Sequence, residues 1–307
     1  MGAKAPYTLK TKTMFNRTVL TDQEETDILK AEYLLEECYI DPMQKMDHPP
    51  VALSYGEYTY NTNEGPVTYD APIGTYGNFS FIQAAPKHNK TFLVSLLSAA
   101  YLGGNAHKYS GKIKGHRGDK CVLHFDTEQG RFHAHRTFKR VLDMTGEANA
   151  CYKTYALRDV NHKDRMNMIK VAVANTPNAG LVIVDGIADL MSDVNNIEEA
   201  NAVVQEIMSL THRHNIHLMT VIHTNFGSDK PTGHLGSAME KKAETQIQLE
   251  RDTSDSNIIK VICKRSRSRA FDTFSFYVND VGFPKMAYED LNFLDNFKND
   301  LKVVHSH

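Results

Sequence analysis

The 307-residue chain has no tryptophan, only four cysteines and almost no net charge. The cysteines, Cys38, Cys121, Cys151 and Cys263, are scattered without a C-x-x-C spacing. That argues against a zinc ribbon or a disulfide framework, and three of them sit inside apolar runs as small hydrophobes do. Thirty-five Lys and Arg against 37 Asp and Glu leave a charge of −2. No overall positive field therefore draws the molecule to nucleic acid or acidic lipid, and any such contact has to come from local patches. Long apolar runs are also missing: none approaches the ~20 residues of a membrane helix. The opening MGAKAPYTLKTKT lacks the apolar segment of a signal peptide. A cytoplasmic protein with no membrane partner is expected. Low-complexity tracts and internal repeats are absent, and 41% hydrophobic with 23% charged residues is an ordinary globular composition. The length suits one large α/β domain or a core with an appendage.

What is present is patterned. Thr21-Asp22-Gln23-Glu24 has the form of a helix-capping box, and Ile28, Ala31, Leu34, Leu35 and Cys38 follow at helical spacing. Pro42, Pro49 and Pro50 then interrupt. Val51 to Tyr69, rich in Tyr, Thr and Val with turn-formers at 61–66, reads as a hairpin. Residues 1–70 are therefore expected to form an appendage of helix plus hairpin. From residue 79 strands and helices alternate: strands at Phe79 to Gln83, Cys121 to Asp126, Tyr152 to Leu157, Leu181 to Asp185 and His217 to His223, with helices between. This is the signature of a mostly parallel sheet flanked by helices. After 240, Thr245 to Leu249, Ile258 to Cys263 and Phe271 to Val278 read as antiparallel edge strands, because the turns between them are too short for helical crossovers. The core is expected over 71–285, with a helical tail over 286–307.

A phosphate-binding loop runs strand, GxxxxGK[ST], helix: backbone N–H groups wrap the phosphates, Lys reaches the terminal ones, and the hydroxyl holds Mg²⁺. Lys-Thr occurs four times, but only Lys90-Thr91 lies between an apolar strand and an apolar helix. The candidate is Ala84-Ala85-Pro86-Lys87-His88-Asn89-Lys90-Thr91, followed by Phe92. Both motif glycines are replaced. Asn89 is the gentler change because Asn tolerates the left-handed conformation, and Ala84 is the harder one. Lys87 adds a second cation.

Three strand ends carry polar groups. Gly180 to Gly186 is an apolar strand ending in Asp185, as a Mg²⁺-holding Walker B segment requires; a helix-capping Asp is the plain alternative. Val122 to Gln129 ends in Asp126 and Glu128, with Glu128 the candidate general base. Val221 to Asn225 places His223 and Asn225 where they can sense a terminal phosphate.

In this order the motifs resemble the RecA-like P-loop ATPases of the RepA/DnaB-type replicative helicase group found on plasmids and mobile elements. The resemblance rests on FDTEQ (125–129), LVIVDGIADL (181–190) and VIHTNFGSDKPTGHLGSAMEKKAE (221–244) and covers about Gly77 to Tyr277. It implies ATP and Mg²⁺ as ligands, Lys90 on the β/γ-phosphates, Thr91 and Asp185 at the metal, Glu128 activating water, and His223 or Asn225 as switch. It also implies a homo-oligomer, a hexameric ring, in which a neighbouring subunit's cation completes the site. Cys263-Lys264-Arg265-Ser266-Arg267-Ser268-Arg269 is the matching segment, with Lys264 and Arg267 the candidates and Arg265 or Arg269 the alternatives to Arg267. Single-stranded DNA would meet the loop from Phe226 to His234 through Lys230 and His234. The expected function is a Mg-dependent ATPase that couples hydrolysis to movement on single-stranded DNA in replication or mobilisation of an element. The alternatives are an ATPase switch that loads a partner docked through residues 1–70, and a non-catalytic nucleotide-binding scaffold.

Overall fold

The computed structural model describes residues 21–63, 65–146 and 151–287. The chain divides into two units, 1–48 and 49–307. In the first, α1 (Asp22–Cys38) starts at the expected capping box: Thr21 accepts from the Glu24 N–H while the Glu24 carboxylate reaches back to the Thr21 N–H. Its Ile28, Tyr33, Leu34 and Leu35 are exposed.

The second unit holds the sheets. The strands are β1 (Val51–Thr62), β2 (Gly65–Thr75), β3 (Phe79–Ala84), β4 (Ile113–Gly115), β5 (Cys121–Asp126), β6 (Tyr152–Ala156), β7 (Ala179–Asp185), β8 (His217–His223), β9 (Thr245–Arg251), β10 (Ile258–Ser266), β11 (Phe274–Val278) and β12 (Pro284–Ala287). The helices are α2 (Lys90–Leu102), the short α3 (His107–Ser110), α4 (Arg131–Thr145), α5 (His162–Ala174), α6 (Ile197–His214) and α7 (Gly233–Lys242). Among the described residues the main sheet has the order β12-β11-β10-β9-β3-β8-β7-β5-β6. The stretch from β9 to β6 is parallel, and β10 to β12 are antiparallel. Only β9 departs from the expected edge arrangement. It pairs parallel to β3 because α7 supplies the crossover from β8.

Apolar strands form where both sheet faces are covered. Every residue of β7 is buried, with α2 and α4 contributing to the core on one face and α5, α6 and α7 on the other. The helix α6 shows why it packs: Asn196 caps it by accepting from the Glu198 and Glu199 N–H groups, and Ala200, Val203, Val204, Ile207 and Leu210 make one buried stripe. No described helix is long and apolar enough to cross a membrane.

The expected boundary at residue 70 falls elsewhere. β1 and β2 pair with each other and with β4 in a second sheet, and Ala52, Leu53, Ala71 and Ile73 at the hairpin's base belong to the same core as Leu93 and Phe274. The hairpin is thus part of the second unit, which begins at Pro49. Of the expected helical tail, 286 and 287 lie in β12, and the remainder lies outside the described residues.

The hairpin is locked to the main sheet by a buried polar junction. His217 is fully buried and donates Nδ1–H to the Thr75 carbonyl at 2.9 Å, while Glu244 accepts from the Thr75 N–H and hydroxyl at 2.8 and 2.7 Å. A Cβ on Gly74 would collide with the imidazole, so this crossing requires glycine. Burial lowers the His217 pKa to about 4. The unfolded chain therefore binds the proton first as pH falls, and stability is lost from the ordinary value of 6.5 downward. Between pH 7 and pH 5 the wild type is expected to lose about 2 kcal/mol more than His217→Gln. Urea unfolding of both proteins at the two pH values measures this, and equal slopes would contradict a buried neutral imidazole.

Candidate functional site

The loop from β3 into α2 is shaped for an anion although both motif glycines are gone. Ala84 is an ordinary extended residue, the last of β3, paired with His223 of β8. Its methyl group therefore meets no backbone strain, and the first glycine is dispensable. The left-handed positions are Lys87 (φ 64°) and Asn89 (φ 58°). Asn89 caps α2 through its backbone carbonyl, which accepts from the Phe92 and Leu93 N–H groups. The remaining N–H groups of the first turn are the kind of donors that bind phosphate at a helix N-terminus.

Lys90 is buried, and its ammonium donates to the Ala84 and Ala85 carbonyls, both at 3.2 Å, and to His223 Nδ1 at 3.0 Å. Burial lowers its pKa, and Glu128 and Asp185 work in the opposite direction. Next in sequence, the Thr91 hydroxyl donates to Asp185 Oδ2 at 2.8 Å. The Asp185 carboxylate is fully buried, and burial, followed by the charge of Asp126, raises its pKa to about 7. Beyond β7 the chain turns at Gly186 (φ 108°), where a Cβ would run into the Thr127 hydroxyl. That hydroxyl bonds the Asp185 and Gly186 carbonyls and Asp189 Oδ2, which holds the β5 and β7 ends together.

Asp126 holds the turn that presents Glu128. Its carboxylate accepts from the Glu128 and Gln129 N–H groups and from the Gln129 amide at 3.1, 2.8 and 2.7 Å. Glu128 itself is half-buried, its pKa raised by burial and then by Asp189, and its Oε1 lies 3.7 Å from His223 Nε2. His223 thus stands between the lysine and the candidate base.

These residues line a single cleft of about 290 Å³: Lys87, His88, Asn89, Lys90, Thr91 and Phe92 from the loop, with Glu128, Asp185 and His223 from three strand ends. Ala85 and Pro86 do not line it; the Ala85 carbonyl accepts from Lys90 and the Pro86 carbonyl lies 3.1 Å from the His88 Nδ1. The Thr91 hydroxyl and the buried Asp185 carboxylate in contact are the kind of oxygen pair that holds the Mg²⁺ of a bound nucleotide, although among the described residues no group of three or more His, Cys, Asp or Glu is placed to hold a metal ion unaided. Sequence reasoning missed Gln129, Thr137 and Arg140, which also line the cleft. Arg140 lies 4.0 Å from the Phe92 ring centroid and donates to Ser95 at 3.1 Å. Its position on a helix face three turns from Glu128 carries no local motif. Asp189 was also missed, although it follows Asp185 by four residues.

Asn225 is a correction. β8 ends at His223, and the Thr224–Pro231 bridge turns the chain away, so Asn225 lines a separate polar depression of about 300 Å³ with Lys230 and His234. There its N–H donates to the Lys230 carbonyl at 2.9 Å. Only His223 of the expected sensor pair reaches the cleft.

The basic run is divided. The Arg267 guanidinium is bound within its own chain to the carbonyls of Lys241, Lys242 and Ala243 at the C-terminus of α7. That is a helix-capping position, which gives the exposed Arg267 a role within its own chain. Lys264 is exposed and 3.8 Å from Asp229 of the loop after β8.

A phosphate loop between strand and helix, and carboxylates on neighbouring strand ends of a parallel sheet in this order, define a P-loop nucleotide-binding protein of the RecA-like class. The chain belongs to the AAA domain family, whose model matches residues 74–229, about half of its length. No curated protein matches it. Among solved structures, a RadB recombinase is similar with a TM-score of 0.46 and 17% identity, covering 69% of this chain and 92% of that one.

Thr91→Val keeps shape but removes the hydroxyl that meets Asp185. It is expected to weaken nucleotide binding at least tenfold in Mg²⁺ and to leave binding in EDTA unchanged, as read by titration calorimetry. Equal losses in both conditions would mean that Thr91 only shapes the loop.

Proposed function

We propose that this protein is an ATP hydrolase that assembles into a ring and moves on single-stranded DNA, in the manner of the RepA/DnaB-type helicase ATPases. The observation that carries the hydrolase reading is the meeting of Lys90, Thr91, Asp185, Glu128 and His223 in one cleft at the carboxyl ends of parallel strands. Thr91 and Asp185 would hold Mg²⁺, which when bound neutralises charge on the phosphate oxygens. Lys90 exchanges its carbonyl partners for the β- and γ-phosphate oxygens. Glu128, raised above the ordinary carboxylate range, accepts a proton from the water whose oxygen attacks the γ-phosphorus as the bond to the ADP oxygen breaks. His223 contacts both Lys90 and Glu128, and its β8 strand runs directly into the loop that carries Lys230 and leads to His234 in the first turn of α7. Loss of the γ-phosphate is thereby relayed to the segment assigned to DNA. Lys264, exposed beside that loop, is the cation offered to a neighbouring subunit.

A second reading, a nucleotide-dependent switch that loads a partner protein, is favoured by α1, whose Leu29, Tyr33 and Leu35 are more than half exposed.

Glu128→Gln is expected to abolish ATP turnover while retaining ATP binding; unchanged hydrolysis would remove Glu128 from the mechanism. For the trans-acting role, Lys264→Ala is expected to cut hydrolysis at least tenfold and to recover when mixed with Glu128→Gln subunits, which supply an intact Lys264. Arg267→Ala, by contrast, should lower thermal stability by loosening α7. Failure of the mixed assembly to recover would end the assignment of Lys264.

A further inference from the structure

The far end of the β1-β2 hairpin has two different faces. Cross-strand pairs Glu57 with Asp70, Tyr58 with Tyr69, Thr59 with Thr68 and Tyr60 with Val67 alternate between them. On one face both carboxylates are held by Lys114, at 2.6 and 3.2 Å, and the two threonine hydroxyls bond each other. The other face is aromatic. Tyr58 and Tyr69 stack with centroids 5.8 Å apart and an interplanar angle of 25°, and Tyr60 closes the group edge-on at 5.1 Å from Tyr58. Tyr60 is 48% exposed and Val67 is also exposed.

Cross-strand aromatic pairs stabilise a hairpin, but that role does not account for the cation beside them. The Arg269 guanidinium lies over the Tyr58 ring at 5.6 Å from its centroid. Arg269 ends the exposed run that begins at Lys264, and Lys264 is paired to Asp229 in the loop after β8. The run therefore connects that loop to the tyrosine face, with Arg265 exposed between them. An exposed ring on a half-buried tyrosine pair, an arginine alongside and carboxylates gathered on the opposite face form the chemistry that receives bases and phosphates of a single strand.

We propose that Tyr58, Tyr60, Tyr69 and Arg269 form a stacking platform for single-stranded DNA, outside the nucleotide cleft and in addition to the loop after β8. The inference shares with the proposed function its ligand class and adds a second contact: bases stack on Tyr60 and its neighbours, and Arg269 takes a phosphate. Such a platform binds with little sequence preference, because every base has a face to stack.

The test uses the full chain and a fluorescein-labelled oligo(dT), read by anisotropy. Tyr60→Leu keeps the apolar contact area and removes the ring, so it is expected to weaken binding about tenfold. Arg269→Ala should reduce the slope of log affinity against log salt by about one. Because the chain has no tryptophan, Tyr60→Trp places a single indole on the face. Its fluorescence is expected to be quenched by oligo(dT) and restored by high salt. Binding by the wild type that neither variant weakens, with no quenching of the indole, would overturn the platform and leave DNA binding at the loop intact. A wild type that binds no oligo(dT) would overturn both the platform and the DNA part of the proposed function. A change in assembly mass of Tyr60→Leu without DNA, measured by sedimentation with DNA affinity unaltered, would reassign the face to contact between copies.

Discussion

The Asp185 carboxylate is buried at the end of β7 with Asp126 and Glu128 near it and the Thr91 hydroxyl as its hydrogen-bond donor. Burying one carboxylate beside two others is costly unless a positive group is close. Lys90 supplies part of that charge: burial lowers its pKa, and the neighbouring Glu128 and Asp185 carboxylates oppose that shift. The rest of the cleft follows from this arrangement. The β5 and β7 ends must be held together, which Thr127 does from the side through the Asp185 and Gly186 carbonyls. The first turn of α2 must face β7, which the Thr91–Asp185 bond enforces. A divalent cation bound here would relieve the same repulsion, so the electrostatic demand of these carboxylates and the requirement of nucleotide chemistry coincide.

Lys90 has its second set of partners in the carbonyls of Ala84 and Ala85 and in His223. This places the phosphate-binding lysine, the strand beside the loop and the candidate base in one connected group. The neighbouring strand adds another link: the Gln83 amide donates to the Asp229 carbonyl at 2.7 Å and to Gln248 at 3.0 Å, and Gln246 donates back to Gln83 at 2.8 Å. Gln83 directly precedes Ala84, so the loop after β8 is tied to the base of the phosphate loop as well as to His223. Of this buried amide network only the Gln246 Oε1 is left without a partner, and the network gives the 225–231 segment a mechanical reference to the cleft.

The long elements were legible because their periodicity is strong. The capping box of α1, the apolar β7 and the buried stripe of α6 each state their structure locally. β4 and β12, of three and four residues, are too short to show a period and exist because β1 and β11 offer them an edge. β9 is parallel because a short helix precedes it, a relation that turn lengths after residue 250 do not reveal. At the site, Lys90, Thr91, Glu128, Asp185 and His223 lie at strand ends or the first helical turn, where motif order locates them. Arg140, Thr137 and Asp189 reach the cleft or its border only through helix packing and turn geometry.

The amino-acid sequence by itself determined the alternation of strands and helices, the position of the phosphate loop and the three strand ends that carry acids and a histidine, because each depends on neighbours a few residues apart. Tertiary structure decided where the glycine substitutions matter: Ala84 proved to be a strand residue, while Lys87 and Asn89 take the left-handed turns. It also decided that the hairpin belongs to the core, that Asn225 turns away from the cleft, and that Arg267 caps α7 in its own chain. Those outcomes depend on contacts between residues far apart in the chain, such as the 142 positions separating Thr75 from His217, and no local pattern encodes which distant partner a side chain will meet.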